Sequence, residues 1–105
     1  MQLVKDVYGL VDNFPSSEKY SLSSQVTRSA VSIPSNIAEG ASRNSEKDFA
    51  RFLEISLGSV FELETQIRIS FALKYVSEDK FEVVIEKCIS LQKRIYSLRK
   101  KVIKD

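Results

Sequence analysis

Apolar residues recur along the chain at intervals of three and four, which is the spacing of one face of an α-helix. The pattern covers four segments, approximately 3–14, 22–41, 46–75 and 79–103, which are separated by polar or proline-containing stretches. In the fourth segment it is an uninterrupted heptad, the core stripe, which includes Cys88 and Leu98. The sequence therefore predicts an all-α protein of four helices with a short first helix.

The second segment carries a proline in the middle of its pattern. Pro34 removes one backbone hydrogen-bond donor and crowds the preceding turn, yet the apolar residues continue in phase at Ile37 and Ala41. We therefore expect one helix with a kink at Pro34. Because short loops imply antiparallel neighbours, the simplest architecture is an up-down-up-down four-helix bundle that forms a single domain over residues 1–105.

Helical geometry indicates a second apolar stripe on the fourth segment, roughly 130° from its core stripe. This stripe consists of Ile85, Ile89, Tyr96 and Ile103. Single exposed apolar residues are common on protein surfaces, but contiguous apolar patches mark interfaces. We expect homo-oligomerisation through this face.

The net charge of +2 is distributed unevenly. From Lys93 to Asp105 the chain has six basic residues and one acidic residue, whereas the part before Lys93 is mildly acidic. Five of the six fall within an arc of about 120°: Lys93, Arg94, Lys100, Lys101 and Lys104. They are candidate ligands for nucleic-acid phosphates. The alternative is a solvated face whose cations lie near the negative end of the helix dipole.

The second segment carries a polar stripe that includes Arg28, Asn36, Glu39 and Arg43. A carboxylate flanked by two arginines stays ionised, which suits a hydrogen-bonded helix contact better than general acid catalysis. Arg28 and Arg43 are further candidates for binding nucleic acid.

The composition excludes several classes of function. The chain has no histidine, which excludes catalysis by a histidine side chain. It has one cysteine, which excludes a metal cluster held by several cysteines. Cys88, on the core stripe, is interpreted as a small buried hydrophobe. We expect no enzymatic activity, no cofactor and no bound metal. No apolar run approaches the ~20 residues of a membrane span, and the N-terminus lacks an apolar signal core, so we expect a cytoplasmic protein with no membrane contact.

The stretch from Gln25 to Gly40, QVTRSAVSIPSNIAEG, closely resembles a signature of the bacterial four-helix-bundle family, also called the 23S rRNA intervening sequence protein family. That family is similar to the accessory variability determinant protein of diversity-generating retroelements, a pentamer that binds nucleic acid and reverse transcriptase. The resemblance implies a homopentamer that binds RNA. A reverse transcriptase or another protein is a further partner that it suggests.

Two functions fit these patterns. The first is a non-catalytic oligomeric four-helix bundle that binds nucleic acid, in particular RNA, through basic surface residues. The alternative is an oligomeric protein-interaction scaffold that does not bind nucleic acid.

Overall fold

A computed structural model describes residues 1–103. Within these residues the chain forms four α-helices, namely α1 (Gln2–Val11), α2 (Leu22–Ala41), α3 (Glu46–Ala72) and α4 (Glu78–Val102). Each helix packs against its neighbour in sequence, and α1 also contacts α4, so the helices close a ring. The predicted all-α four-helix bundle is confirmed.

Local sequence signals fix the ends of the two longest helices. The side chain of Ser45 accepts a hydrogen bond from the Asp48 amide at 2.9 Å and so caps α3. Ser77 caps α4 in the same way, and the acidic residues of the first turn of α4 suit the positive end of its dipole. Helix α3 ends at Ala72, three residues before the predicted bound, because Lys74 adopts a left-handed backbone conformation with φ 67°.

One hydrophobic cluster joins the four helices. It contains residues from the main apolar stripe of each predicted segment. Four of its fully buried members are Val7 in α1, Ile33 in α2, Leu63 in α3 and Cys88 in α4. Helix α2 runs through Pro34 without a break. The prediction that this proline does not end the helix is therefore confirmed.

Two residues of α4 depart from the predicted pattern. Ile85, assigned to the exposed second stripe, is only 8% exposed and belongs to the core cluster. Because α4 packs against both α1 and α3, it buries a wider arc than a single stripe. Leu98, assigned to the core, is 39% exposed. Helix α1 spans about 15 Å whereas α4 spans about 37 Å, and α1 begins beside Leu91 and Arg94, short of Leu98.

Candidate nucleic-acid interface

Four basic residues near the C-terminal end of α4 lie on its outward side. Lys93, Arg94, Lys100 and Lys101 are all exposed. Three of them line a shallow depression of about 310 Å³ together with Ser97 and Leu98: Lys93, Arg94 and Lys101. The Lys100 ammonium lies 5.5 Å from the centre of the Tyr96 ring, which is within the range of a cation–π contact. Lys104 lies outside the described residues.

Arg28 and Arg43 lie on a different surface. The Arg28 guanidinium donates to the Ser24 hydroxyl at 3.0 Å, and Arg43 pairs with Glu39 at 2.8 Å, both within α2. Arg43 also lies over the Phe52 ring of α3. Helices α2 and α4 occupy opposite corners of the ring and make no backbone contact in the described part of the chain. The structure therefore does not join these arginines to the basic side of α4.

The remaining members of the predicted oligomer stripe are exposed. Ile89, Tyr96 and Ile103 are 37%, 55% and 38% exposed. Ile85 is removed from this set because it is a core residue. We refer to Ile89, Tyr96 and Ile103 as the α4 apolar face.

Phe61 of α3 is exposed at the level of the α4 apolar face, and the oligomer stripe predicted from the sequence does not include it. Arg99 donates to Glu54 at 2.9 Å, and Gln92 donates to Glu64 at 2.6 Å. These two cross-links bracket Phe61 on α3 and Tyr96 on α4, and the Phe61 side chain remains 53% exposed. The signal in the sequence is that Phe61 makes the apolar side of α3 wider than a single seam requires.

A polar groove lies between α2 and α3. The Ser29 hydroxyl donates to Glu62 at 3.0 Å, the Ser32 and Ser59 hydroxyls lie 2.8 Å apart, and the Ser56 hydroxyl donates to the Ile33 carbonyl at 2.9 Å. The groove encloses about 430 Å³. Its lining is entirely polar: Gln25, Arg28, Ser29, Ser32, Glu62 and Gln66.

Gln66 is the least satisfied member of this groove. Its side chain is only 8% exposed, and its Oε1 atom has no hydrogen-bond partner within residues 1–103. A buried amide oxygen without a partner costs about 1–3 kcal/mol. The sequence does not indicate that the Gln66 oxygen lacks a partner, because Gln66 lies at the same three- and four-residue spacing as other polar residues of α3.

No helix within residues 1–103 is both long and apolar enough to cross a bilayer.

The family profile described as "23S rRNA-intervening sequence protein" matches residues 1–97. A solved structure from Bacteroides thetaiotaomicron VPI-5482, described as a protein of unknown function from the S23 ribosomal protein family, superposes with a TM-score of 0.86. It is 24% identical, and the match covers 94% of this chain and 93% of that one, which shows a shared fold. No curated protein matches the chain. Because the family profile covers nearly its whole length, the chain belongs to the 23S rRNA-intervening sequence protein family.

Proposed function

We propose that this protein is a non-catalytic homo-oligomer that binds RNA through the basic side of α4. The observation that carries the proposal is the group Lys93, Arg94, Lys100 and Lys101, which is exposed on one helix. Within residues 1–103 none of the four forms an ion pair, whereas Arg99 on the same helix is paired with Glu54. When unpaired surface cations bind nucleic acid, they neutralise phosphates and release the counterions that had condensed on the phosphate backbone.

Oligomerisation would strengthen this binding. In a symmetric assembly the basic side of α4 is repeated once per subunit, and linked sites that reach one strand bind it with higher avidity than one site alone. The exposed α4 apolar face supports self-association. The resemblance to a pentameric protein supports five subunits.

The test is fluorescence anisotropy with a labelled structured RNA at salt concentrations between about 50 and 200 mM. We expect affinity to fall steeply with salt and to tolerate changes of sequence. The triple variant Lys93→Glu, Lys100→Glu, Lys101→Glu should bind more weakly and with a shallower salt slope. A triple variant with the same change of net charge elsewhere, Lys5→Glu, Lys19→Glu, Lys80→Glu, is the matched control and should keep most of the affinity.

Two results would contradict the proposal. Absence of binding at the low-salt end would leave the alternative function, a scaffold for proteins, which the exposed Phe61 and Tyr96 rings support because aromatic residues are enriched at protein interfaces. Equal losses in both triple variants would mean that overall charge, and not the basic side of α4, attracts RNA.

A further inference from the structure

The groove between α2 and α3 has a definite register. The hydrogen bonds from Ser29 to Glu62 and between Ser32 and Ser59 show that each step of three residues along α2 matches a step of three back along α3. Continued by one turn, this register sets Gln25 level with Gln66. It also sets Arg28 on one wall of the groove and Glu62 on the other, and both line the same cavity.

The two walls carry opposite charges that do not neutralise each other. Arg28 bonds to Ser24 within its own helix, and Glu62 accepts from Ser29 through Oε1. No ion pair joins Arg28 to Glu62 within residues 1–103. The guanidinium therefore retains donors, and the carboxylate retains acceptor capacity, toward the space between them.

The floor of the groove supplies the second observation. The Gln66 side chain is more than nine-tenths buried, lines the cavity, and has an unpaired Oε1 atom. Buried polar groups in native proteins nearly always have a partner, so an orphaned one calls for an explanation. The Oε1 atom has almost no accessible surface, so the Gln66 amide has to rotate before a polar ligand in the groove can donate to it.

We propose that this groove binds a guanine base of single-stranded RNA, an inference that rests on the proposed RNA-binding function. A ligand that uses both walls presents donors to Glu62 and acceptors to Arg28. Guanine does so, because O6 and N7 match the two prongs of an arginine while the N1–H and the N2 amine face a carboxylate. After rotation of its amide, the Gln66 oxygen accepts the second hydrogen of the N2 amine.

The other bases match these walls less well. Adenine and cytosine each present one amino group next to a ring-nitrogen acceptor, and uracil presents one N–H between two carbonyls, so none gives a carboxylate two adjacent donors. The size of the cavity, about 430 Å³, lies within the range of small-ligand sites, about 300–1,000 Å³. Because base edges are readable only where RNA is unpaired, the site selects single strands, loops or bulges.

The test compares two labelled single-stranded RNAs of about 12 nucleotides, one of uridine with interspersed guanosine and one of uridine with interspersed adenosine. We expect the guanosine strand to bind about tenfold more tightly. Glu62→Gln keeps an acceptor for Ser29 but loses the carboxylate, and Arg28→Lys keeps the charge but loses the fork. Each should reduce the preference to about twofold or less, through weaker binding of the guanosine strand.

Matched controls separate the groove from general charge effects. Glu86→Gln and Arg51→Lys make the same chemical changes at exposed positions outside the groove and should leave the preference intact. Gln66→Met keeps the length of the side chain and removes the orphaned oxygen. It should reduce the guanine preference while leaving the thermal midpoint unchanged or higher, which a merely structural glutamine would not do.

Three results would overturn the inference. If RNA binds without a guanine preference, or if the groove variants keep that preference, the groove is not the site, although the proposed RNA binding stands. If neither strand binds at the low-salt end, the proposed function fails and this inference fails with it. If the groove variants change the mass of the assembly in light scattering but not the base preference, the groove is a contact between copies of the chain.

Discussion

Gly40 of α2 lies directly against Phe52 of α3. A Cβ atom placed on Gly40 would be 2.7 Å from the Phe52 Cβ and 3.0 Å from the Phe49 ring. Both distances are shorter than van der Waals contact, and the Phe52 Cβ is anchored to its backbone and cannot swing away. The two helices approach this closely because residue 40 has no side chain.

Gly40→Ala should therefore destabilise the fold. Overpacking of a core contact costs about 1–3 kcal/mol, against a gain in helix propensity of about 1 kcal/mol, so we expect a net loss in the free energy of unfolding. Urea denaturation followed by circular dichroism measures it. Gly58→Ala is the matched control, because no heavy atom lies within 4 Å of its Cβ position, and it should gain about 0.5–1 kcal/mol. A gain at both positions would contradict the close packing.

The sequence predicts the helices well because the heptad of α4 and the serine caps are local signals. It does not predict where α3 ends, since the left-handed residue is Lys74 and not the glycine that usually marks such an end. It also misjudges Ile85, because the arc that α4 buries depends on how many helices pack against it.

The polar groove is beyond the reach of sequence periodicity for a related reason. Arg28 and Glu62 become opposite walls only when α2 and α3 adopt one register, and that register is set by tertiary contacts. The contact of Gly40 with Phe52 and the hydrogen bond from Ser56 to Ile33 fix it. Each helix alone shows only a polar stripe.

Carboxylates that accept hydrogen bonds in the folded state should make stability fall in acid. Hydrogen bonds from Gln92 and then Arg68 hold the pKa of Glu64 below its ordinary value near 4.5, although partial burial opposes them. The hydrogen bond from Lys87 lowers the pKa of Asp6 in the same way. A lowered pKa in the folded state adds stability above the ordinary pKa, and this stability is lost as the pH falls through the folded-state value.

Glu64→Gln tests this linkage. At neutral pH we expect a loss on the order of 1 kcal/mol, because the Glu64 side chain is 18% exposed and its carboxylate accepts charge-assisted hydrogen bonds. The difference from the native protein should shrink as the pH falls below about 4.5. Glu86→Gln, at an exposed position on α4, is the control and should follow the native curve. A difference that stays constant with pH would contradict the assignment.

Cys88 should be chemically silent in the folded protein. Its side chain is fully buried, and burial, assisted by the nearby Glu64 charge, raises the pKa of the thiol to about 12. Because the thiolate is the reactive form, we expect almost no labelling by a thiol reagent at pH 8 (rapid labelling is expected once the protein is unfolded in denaturant). Ser90→Cys places an exposed thiol two residues away, and a double variant with Cys88→Ala should label rapidly when folded. Fast labelling of Cys88 in the folded protein would show that α4 detaches from the core.

The α4 apolar face should hold copies of the chain together. Charges at Ile89 and Tyr96 would be desolvated in such a contact, so we expect Ile89→Glu, Tyr96→Glu to convert an assembly of several times 11.9 kDa to single chains while the helical circular dichroism is kept. Light scattering at micromolar concentration measures the mass. Phe61→Glu should act in the same direction, since the Glu54–Arg99 and Glu64–Gln92 links bracket both Phe61 on α3 and Tyr96 on α4.

Two further variants make this prediction specific. Val31 on α2 is 41% exposed, comparable to Ile89, but α2 makes no backbone contact with α4 in the described chain, so Val31→Glu should leave the mass unchanged. Ile85→Glu buries a charge inside the protomer and should lower helicity and thermal stability instead of releasing folded single chains. If the native protein has the mass of one chain, self-association through this face is wrong. If Ile89→Glu, Tyr96→Glu remains assembled, the contact between copies lies elsewhere on the bundle.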